Sequence, residues 1–206
     1  VERAILAGDI ATGVCVMDVD VGLDTGDVHA VATVPIDDRI TAVELTEQLA
    51  DLGAGVLLDS LTSGLTRGVA QSIDGITYAR KITSDDRRLD WSLPAEQLQR
   101  IVRIGGAWTT FGDDRFKVLS ARPIPEIDAE VQSALDVPAL DVPGTVRGTS
   151  VVCGDGASML LESVQPQGKA PMDAVSWVNG ARPEGRVLGL EPSELGMEQG
   201  SARTDG

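Results

Sequence analysis

The chain has 206 residues, of which 42% are hydrophobic and 24% are charged, a composition typical of folded globular proteins and unlike that of disordered ones. Its 32 acidic and 17 basic side chains give a net charge of −15, which argues against a general nucleic-acid binder. No stretch approaches the ~18 consecutive apolar residues of a membrane-spanning helix, so we expect no membrane contact.

The first elements in the chain are a helix and a hairpin. Residues 1–8 have the pattern of a helix end closed by Gly8. Residues 14–17 and 28–34 are predicted strands, and they flank a loop rich in aspartate and glycine, residues 18–27. We expect the two strands to pair as a hairpin whose loop is too long for a tight turn.

A second helix is predicted from Thr41, which forms a capping box with Glu44. Apolar residues follow at helical spacing and predict one buried face: Leu45, Leu49, Leu52 and Val56. Gly53 and Gly55 weaken the middle of this segment and predict a break into two helices. Residues 62–92 carry turn formers and charges, so we expect a connecting segment with little regular structure.

The second half of the chain predicts a helix followed by short strands. Ser92 is the expected N-cap of a helix with Pro94 in its first turn, and Gly105 ends it. Five strands then follow, with turn signals between them, and suit a small closed barrel: 107–111, 116–121, 144–147, 150–153 and 158–164.

The remaining segments complete a two-domain α+β organisation. Residues 122–143 are a proline-interrupted insertion, 172–179 a short helix, and 191–206 a tail with few apolar residues. We therefore expect an α/β domain with its connecting segment over residues 1–92 and a bridging helix with a barrel over 93–190.

Few residues are of the types that bind transition metals. Cys15 and Cys153 lie far apart, and His29 stands alone, which excludes a disulfide framework, a zinc ribbon and a histidine-rich site. Four aspartates of the acidic loop could hold a hard cation, although their spacing is not that of an EF-hand: Asp18, Asp20, Asp24 and Asp27. An acidic surface loop without metal is the interpretation that we prefer.

Basic side chains are concentrated in one part of the chain. Residues 77–122 hold nine of the 17 basic residues and six acidic ones, so this window carries +3 while the rest carries −18. On charge alone a solvated face of mixed charge explains the window. A phosphate-facing stripe is the alternative.

Several motifs in the same order resemble one family of enzymes. They are AGD (7–9), TGV (12–14), MDVDVGLDTGD (17–27), TYARKI (77–82), RLDW (88–91), GDG (154–156) and QPQGKAPMDAVSWVNGARP (165–183). Together they resemble the methionyl-tRNA formyltransferases from residue 1 to about residue 188. The resemblance implies a partial Rossmann-like catalytic domain followed by an OB-fold-like β-barrel domain.

The resemblance also implies an activity, namely formyl transfer from 10-formyltetrahydrofolate to the methionine amino group of initiator methionyl-tRNA. It assigns the catalytic carboxylate to Asp24 and the docking of the pterin ring to the loop backbone at Asp20, Val21, Gly22 and Leu23. Arg100, Arg103 and Lys117 are the expected tRNA contacts. No metal is implied. We expect a monomer. A cytoplasmic location is expected because the chain has few cysteines and its first ten residues lack a signal-peptide pattern.

The chain also departs from the family pattern. The family's catalytic Asn and His come from an N-x-H motif near an S-L-L-P segment, and neither occurs in these 206 residues. We therefore expect a truncated, poorly active form, in which His29 does not replace the missing His. Two other interpretations stay open: an RNA-binding OB module without catalysis, and a sugar-amine formyltransferase.

Overall fold

The computed structural model describes residues 1–124 and 142–190, so most of the predicted insertion and the whole predicted tail lie outside the described residues. The chain divides into two compact units, Val1–Ile82 and Thr83–Gly206. Each unit combines helices with antiparallel strands, which confirms the mixed α and β character predicted from the sequence.

The first unit contains two helices and one hairpin: α1 (Glu2–Ala7), β1 (Ala11–Met17), β2 (Val28–Pro35) and α2 (Ala42–Ser63). The predicted hairpin is observed, and β1 begins three residues earlier than expected. The register runs from Ala11 opposite Pro35 to Met17 opposite Val28. Gly8 ends α1 with a φ of 78°, as its predicted capping role requires.

Helix α2 begins with the predicted capping box. Thr41 N donates to Glu44 Oε2 at 2.8 Å, and Glu44 N donates to Thr41 Oγ1 at 3.3 Å. The predicted break at Gly53 and Gly55 is wrong, because α2 is continuous over its 22 residues. A glycine in a helix lowers stability without interrupting the hydrogen-bond ladder, and Gly53 lies against Val14 of β1.

Apolar side chains are unevenly buried between the units. Only five of the buried apolar residues of the described chain belong to the first unit: Ile5, Ile40, Ala42, Leu45 and Leu49. The same unit exposes many large apolar side chains, including Val31, Leu58 and Leu61. Exposed apolar groups in such number are typical of a surface that contacts other protein or a ligand.

Over its described residues, 83–124 and 142–190, the second unit contains one 3₁₀ turn, two helices and six strands. They are Asp85–Arg87, α3 (Ala95–Arg103), β3 (Trp108–Phe111), β4 (Asp114–Ile124), β5 (Val146–Arg147), β6 (Ser150–Val152), β7 (Ser158–Pro166), β8 (Met172–Asp173) and α4 (Ala174–Ala181). The strands form one sheet in the order β3-β4-β7-β6-β5, and β8 pairs with β7. Phe116 and Trp177 pack in its core with ring centroids 4.6 Å apart. Residues 83–92, which the sequence placed with the first domain, contact this unit, and Leu89 N donates to Trp108 O at 2.8 Å.

The sheet is not closed by strand pairing within residues 1–124 and 142–190, so the predicted closed barrel is not confirmed. Strands β3 and β5 lie at the two ends of the strand order. An irregular segment, residues 185–190, spans the gap: Leu188 N donates to Gly144 O at 2.9 Å, and Gly189 N donates to Thr110 O at 3.0 Å. Backbone groups that a closing strand pair would use are thus bonded to this segment.

The start of α3 is held by a turn that lies far away in sequence. The predicted cap, Ser92, is wrong, because its hydroxyl donates instead to Asp90 Oδ1 at 2.7 Å. Asp155 Oδ2 accepts from Ala95 N at 3.1 Å, and Gly154 N donates to Leu93 O at 3.1 Å. The Gly-Asp-Gly turn therefore supplies the cap that the local sequence does not.

This packing predicts opposite effects for two glycine-to-alanine changes in the second unit. A Cβ on Gly154 would collide with the carbonyl of Ser92, whereas one on Gly180, which is exposed in α4, would meet nothing. We expect Gly154→Ala to lower the free energy of unfolding by about 1–3 kcal/mol or more. Gly180→Ala should raise it by about 0.5–1 kcal/mol. Urea denaturation compares the two, and equal stabilities would contradict the described contact.

Candidate functional site

The acidic loop between β1 and β2 is closed at its base and at its tip. At the base, Asp18 N donates to Asp27 O at 2.9 Å. Gly26 is required there, because a Cβ at this position would collide with the carbonyl of Asp18. At the tip, Asp20 accepts hydrogen bonds from Val21 N at 2.7 Å and from Thr25 Oγ1 at 3.3 Å.

A second segment, Thr66 to Gln71, runs beside the base of the hairpin, and we call it the strap. Thr66 Oγ1 donates to His29 O at 2.6 Å. Val28 and Val69 exchange both backbone hydrogen bonds, at 2.8 and 2.9 Å. Gln71 Nε2 then donates to two loop carbonyls, Asp24 O at 2.9 Å and Gly26 O at 2.8 Å. The predicted connecting segment is therefore irregular here but firmly attached.

The structure distinguishes the four loop aspartates that the sequence pattern left equivalent. Asp20 uses its carboxylate to close the tip, and Asp18 lies 3.0 Å from a ring nitrogen of His29. Asp24 is exposed, has a φ of 54°, and its carboxylate has no hydrogen bond or ion pair to the described residues. Its side chain is thus available to a ligand or to another polar group.

The residues expected to dock a pterin ring form the exposed crest of the loop. Val21 and Leu23 are fully exposed, with relative residue accessibilities of 104% and 95%, and Asp20 and Gly22 are also exposed. Two apolar side chains without cover cost solvation free energy. The crest is therefore a favourable surface for a flat, partly apolar ligand.

His29 links the hairpin to the strap. Its Nδ1 donates to Thr66 O at 2.7 Å, and its Nε2 lies 3.0 Å from Asp18 Oδ1. In the neutral ring the proton is on Nδ1, so Nε2 carries a lone pair that faces the Asp18 carboxylate. Two acceptors then face each other, and this favours protonation of Nε2. Asp18, followed by the Thr66 carbonyl and the charge of Asp27, raises the pKa of His29 above its usual 6.5.

The three basic residues expected to contact tRNA lie on two elements of the second unit. Arg100 and Arg103 lie on α3, and Arg100 Nη2 is 3.8 Å from Glu96 Oε1. Lys117 lies on β4 and lines a shallow cavity of about 220 Å³ with Arg115, Gln165, Pro166, Gln167 and Gly168. The arginines of α3 are not among its lining residues.

Two residues that contribute to the cavity and to the loop, Arg115 and Gln71, were not singled out by the sequence pattern. Arg115 stacks its guanidinium 4.2 Å from the centroid of Trp108, the residue opposite Lys117 across the β3–β4 pair. Such stacking holds an arginine in place while leaving some N–H groups free. Gln71 was also missed, since nothing in the pattern of a polar connecting segment singles out one glutamine.

Neither a metal centre nor a membrane span occurs in the described part of the chain. Residues 1–124 and 142–190 contain no group of three or more potential His, Cys, Asp or Glu ligands. No helix within these residues is sufficiently long and apolar to cross a bilayer. Burial raises the pKa of the Cys153 thiol to about 12, so it is a poor nucleophile.

In comparisons with known proteins, both units of the chain match models of formyl transferases. Residues 1–61 match the family model described as "Formyl transferase", and residues 81–182 match "Formyl transferase, C-terminal domain". A methionyl-tRNA formyltransferase of Roseobacter denitrificans is 41% identical over 195 residues, which is 91% of this chain and 59% of the relative. That of Symbiobacterium thermophilum is 40% identical over 193 residues, 87% of this chain and 56% of the relative.

Solved structures share the fold at lower identity. HypX from Aquifex aeolicus in complex with tetrahydrofolic acid has a TM-score of 0.58 and 18% identity over 86% of this chain and 31% of that one. The chain thus spans somewhat over half the length of the curated relatives and about a third of HypX.

The raised pKa of His29 predicts a pH-dependent stability. A group whose pKa is raised by folding stabilises the fold fully below its unfolded pKa, here 6.5, and this contribution is lost as the pH rises through the folded value. We expect His29→Gln to remove part of the fall in melting temperature between about pH 6 and pH 8. Thermal melts of both proteins across this range provide the measurement.

Asp18→Asn is the matched variant, because it removes the largest cause of the raised pKa and keeps the histidine. It should flatten the same part of the profile. Parallel profiles of all three proteins would show that the His29–Asp18 contact contributes nothing to stability.

Proposed function

The chain belongs to the formyl transferase family, and from that premise we propose that the complete protein transfers a formyl group from 10-formyltetrahydrofolate to the methionine amino group of initiator methionyl-tRNA. The observation that carries this proposal is the similarity to curated methionyl-tRNA formyltransferases at about 40% identity through both units of the chain. Since the chain spans under two thirds of those relatives, the activity is proposed for the protein expressed from its complete reading frame.

The chemistry is acyl transfer to an amine. The methionine nitrogen forms a bond to the formyl carbon, a tetrahedral oxyanion results, and the bond from that carbon to the folate nitrogen breaks as the proton moves from the amine to the folate nitrogen. The oxyanion requires positioned hydrogen-bond donors, and the proton requires an acceptor on its path. We assign part of the proton transfer to the Asp24 carboxylate. Residues outside these 206 would supply the donors.

We infer that folate binds at the crest of the acidic loop. Exposed polar backbone groups of Asp20 and Gly22, beside the apolar side chains of Val21 and Leu23, fit a pterin ring, which needs both hydrogen bonds and an apolar contact. The structural neighbour HypX, which holds tetrahydrofolic acid, supports this ligand class. In this proposal β1, β2 and α2 are a part of a Rossmann-like domain.

For the second unit we propose an OB-fold-like role in holding tRNA. Its antiparallel sheet has a long strand, β4, with register shifts near Ser120, and residues 185–190 lie between the two edge strands. Barrels of the OB type commonly use one face to bind nucleic acid. Lys117 and Arg115 on β4, with Arg100 and Arg103 on α3, are the proposed phosphate contacts. Because translation initiation requires access to initiator tRNA, we propose a cytoplasmic location for this protein.

One assay separates this proposal from the two alternatives. The complete protein is incubated with 10-formyltetrahydrofolate and either methionyl-tRNA or an amino-sugar nucleotide, and mass spectrometry detects the formylated product. We expect formylation of methionyl-tRNA alone. Product from the sugar would favour a sugar-amine formyltransferase, and tRNA binding without any product would favour a non-catalytic module.

Replacing Asp24 should affect turnover more than binding. Asp24→Asn keeps the size of the side chain and removes its charge, so we expect kcat to fall by about 100-fold or more. The KM for folate should change by less than about threefold, because the crest of the loop is unchanged. Steady-state kinetics of the complete protein provide the measurement.

Asp27→Asn is the control, since Asp27 lies at the base of the same loop and has no assigned role in the reaction. It should retain nearly full turnover. A near-normal kcat for Asp24→Asn, or a larger loss for Asp20→Asn, would show that the assignment is wrong.

The basic residues of the second unit predict salt-dependent tRNA affinity. Arg100→Glu combined with Lys117→Glu should weaken binding and reduce the slope of log affinity against log salt by about 0.7–0.9 per lost phosphate contact. Arg39→Glu with Arg182→Glu is a control of equal charge change at exposed arginines. If both double variants bind alike at every salt concentration, the proposed contacts do not exist.

A further inference from the structure

We propose that Gln71 is a positioning residue that sets the direction of the Asp24 carboxylate. The inference rests on the proposed function, in which Asp24 acts on the reacting groups. Gln71 lies 47 positions after Asp24 in the chain, and its side chain contacts the main-chain carbonyl of Asp24.

The amide nitrogen of the Gln71 side chain is bonded to the loop. Its nitrogen carries two hydrogens, and the structure provides two carbonyl acceptors for them, Asp24 O at 2.9 Å and Gly26 O at 2.8 Å. The same nitrogen lies 3.7 Å from Met17 Sδ at the end of β1. One planar group therefore fixes the orientation of two peptide units on either side of Thr25.

The peptide unit that carries the Asp24 carbonyl borders Asp24 directly and fixes its ψ, so it helps to determine where the Asp24 side chain points. The hydrogen bond to Gly26 O holds the chain two residues further on. The φ of Asp24 is 54°, in the left-handed region that is unfavourable for residues other than glycine and is best tolerated by Asp and Asn. Without hydrogen bonds that hold the neighbouring carbonyls, this residue would gain access to the more favourable right-handed and extended regions. A change of region redirects the Cα–Cβ bond, and with it the carboxylate.

The other contacts of the loop do not perform this task. Asp18 and Asp27 pair at the base, while Asp20 ties Val21 and Thr25 at the tip. None of these bonds is made to the carbonyl of Asp24 or of Gly26, which Gln71 holds. A short carboxylate misplaced by about 1 Å can cost about 100-fold in rate, so this hold bears directly on turnover.

The strap keeps the Gln71 side chain in place before any ligand binds. Two residues before Gln71, Val69 is fixed to Val28 by a pair of backbone hydrogen bonds. Thr66, further back, is bonded to His29 through its hydroxyl and its carbonyl. Gln71 thus extends from a segment attached to β2 and does not need to be ordered by substrate, which reduces the entropy lost on reaching the active geometry.

The first test requires no catalysis. Amide hydrogen exchange is measured for residues 18–28, which include the bonded amides of Asp18, Val21 and Val28. The complete protein is compared with Gln71→Ala and with Gln71→Glu, which keeps the side-chain length but loses both donors. Gln48→Ala, an exposed glutamine on α2, is the control. We expect exchange in the loop to be at least about tenfold faster in both Gln71 variants and unchanged in Gln48→Ala. Unchanged exchange in the Gln71 variants overturns the inference, whatever the activity of the protein.

The second test separates positioning of Asp24 from general support of the loop. We expect Gln71→Ala to lower kcat about tenfold or more with nearly unchanged folate KM, and to have little further effect in Asp24→Asn. If Gln71→Ala lowers kcat by the same factor in Asp24→Asn as in the wild-type protein, or if it changes only KM, then Gln71 does not act through Asp24. If the wild-type protein formylates no acceptor, the proposed function fails, and the exchange result still decides whether Gln71 holds the loop.

Discussion

The pair of backbone hydrogen bonds between Val28 and Val69 is the constraint on which the candidate site depends. It attaches the strap to the first residue of β2, and the strap has no helix or strand of its own. On one side of this pair, Thr66 bonds to His29, whose ring in turn faces Asp18. On the other side, Gln71 reaches the carbonyls of Asp24 and Gly26. Loss of the pair would weaken the hold of the strap both on His29 and on the carbonyls of Asp24 and Gly26.

The same arrangement explains how four similar carboxylates come to differ. The Asp20 carboxylate accepts the hydrogen bonds of the tip, and the Asp18 carboxylate contacts His29, so both carboxylates stabilise the loop. Asp24 is left with a free carboxylate on a held main chain, which is the combination that acid–base chemistry requires. The backbone, and not the side chain, is therefore the part of Asp24 that the fold controls.

Local patterns predicted the local features. The capping box of Thr41 and Glu44, the hairpin and the helix end at Gly8 all depend on residues near one another in sequence, and each motif of the family resemblance is likewise a short run of residues. The features that the sequence could not predict involve distant partners: Asp155 capping α3 across 60 positions, residues 185–190 bonding between the sheet edges, and Gln71 bonding to the loop across 45 and 47 positions. The break expected at Gly53 does not occur, and the reason is different. The low helix propensity of glycine destabilises α2 less than the packing of α2 against β1 stabilises it.

A crystal structure of the complete protein with a 10-formyltetrahydrofolate analogue bound would test most directly whether the strap positions Asp24 at a folate site. We expect the pterin to lie against the crest at Val21 and Leu23, and the Asp24 carboxylate to be directed at the formyl-bearing nitrogen. Gln71 Nε2 should remain within hydrogen-bonding distance of both loop carbonyls. A folate bound elsewhere, or a loop in which Gln71 has released Asp24 and Gly26 while the carboxylate still faces the formyl group, would contradict this proposal.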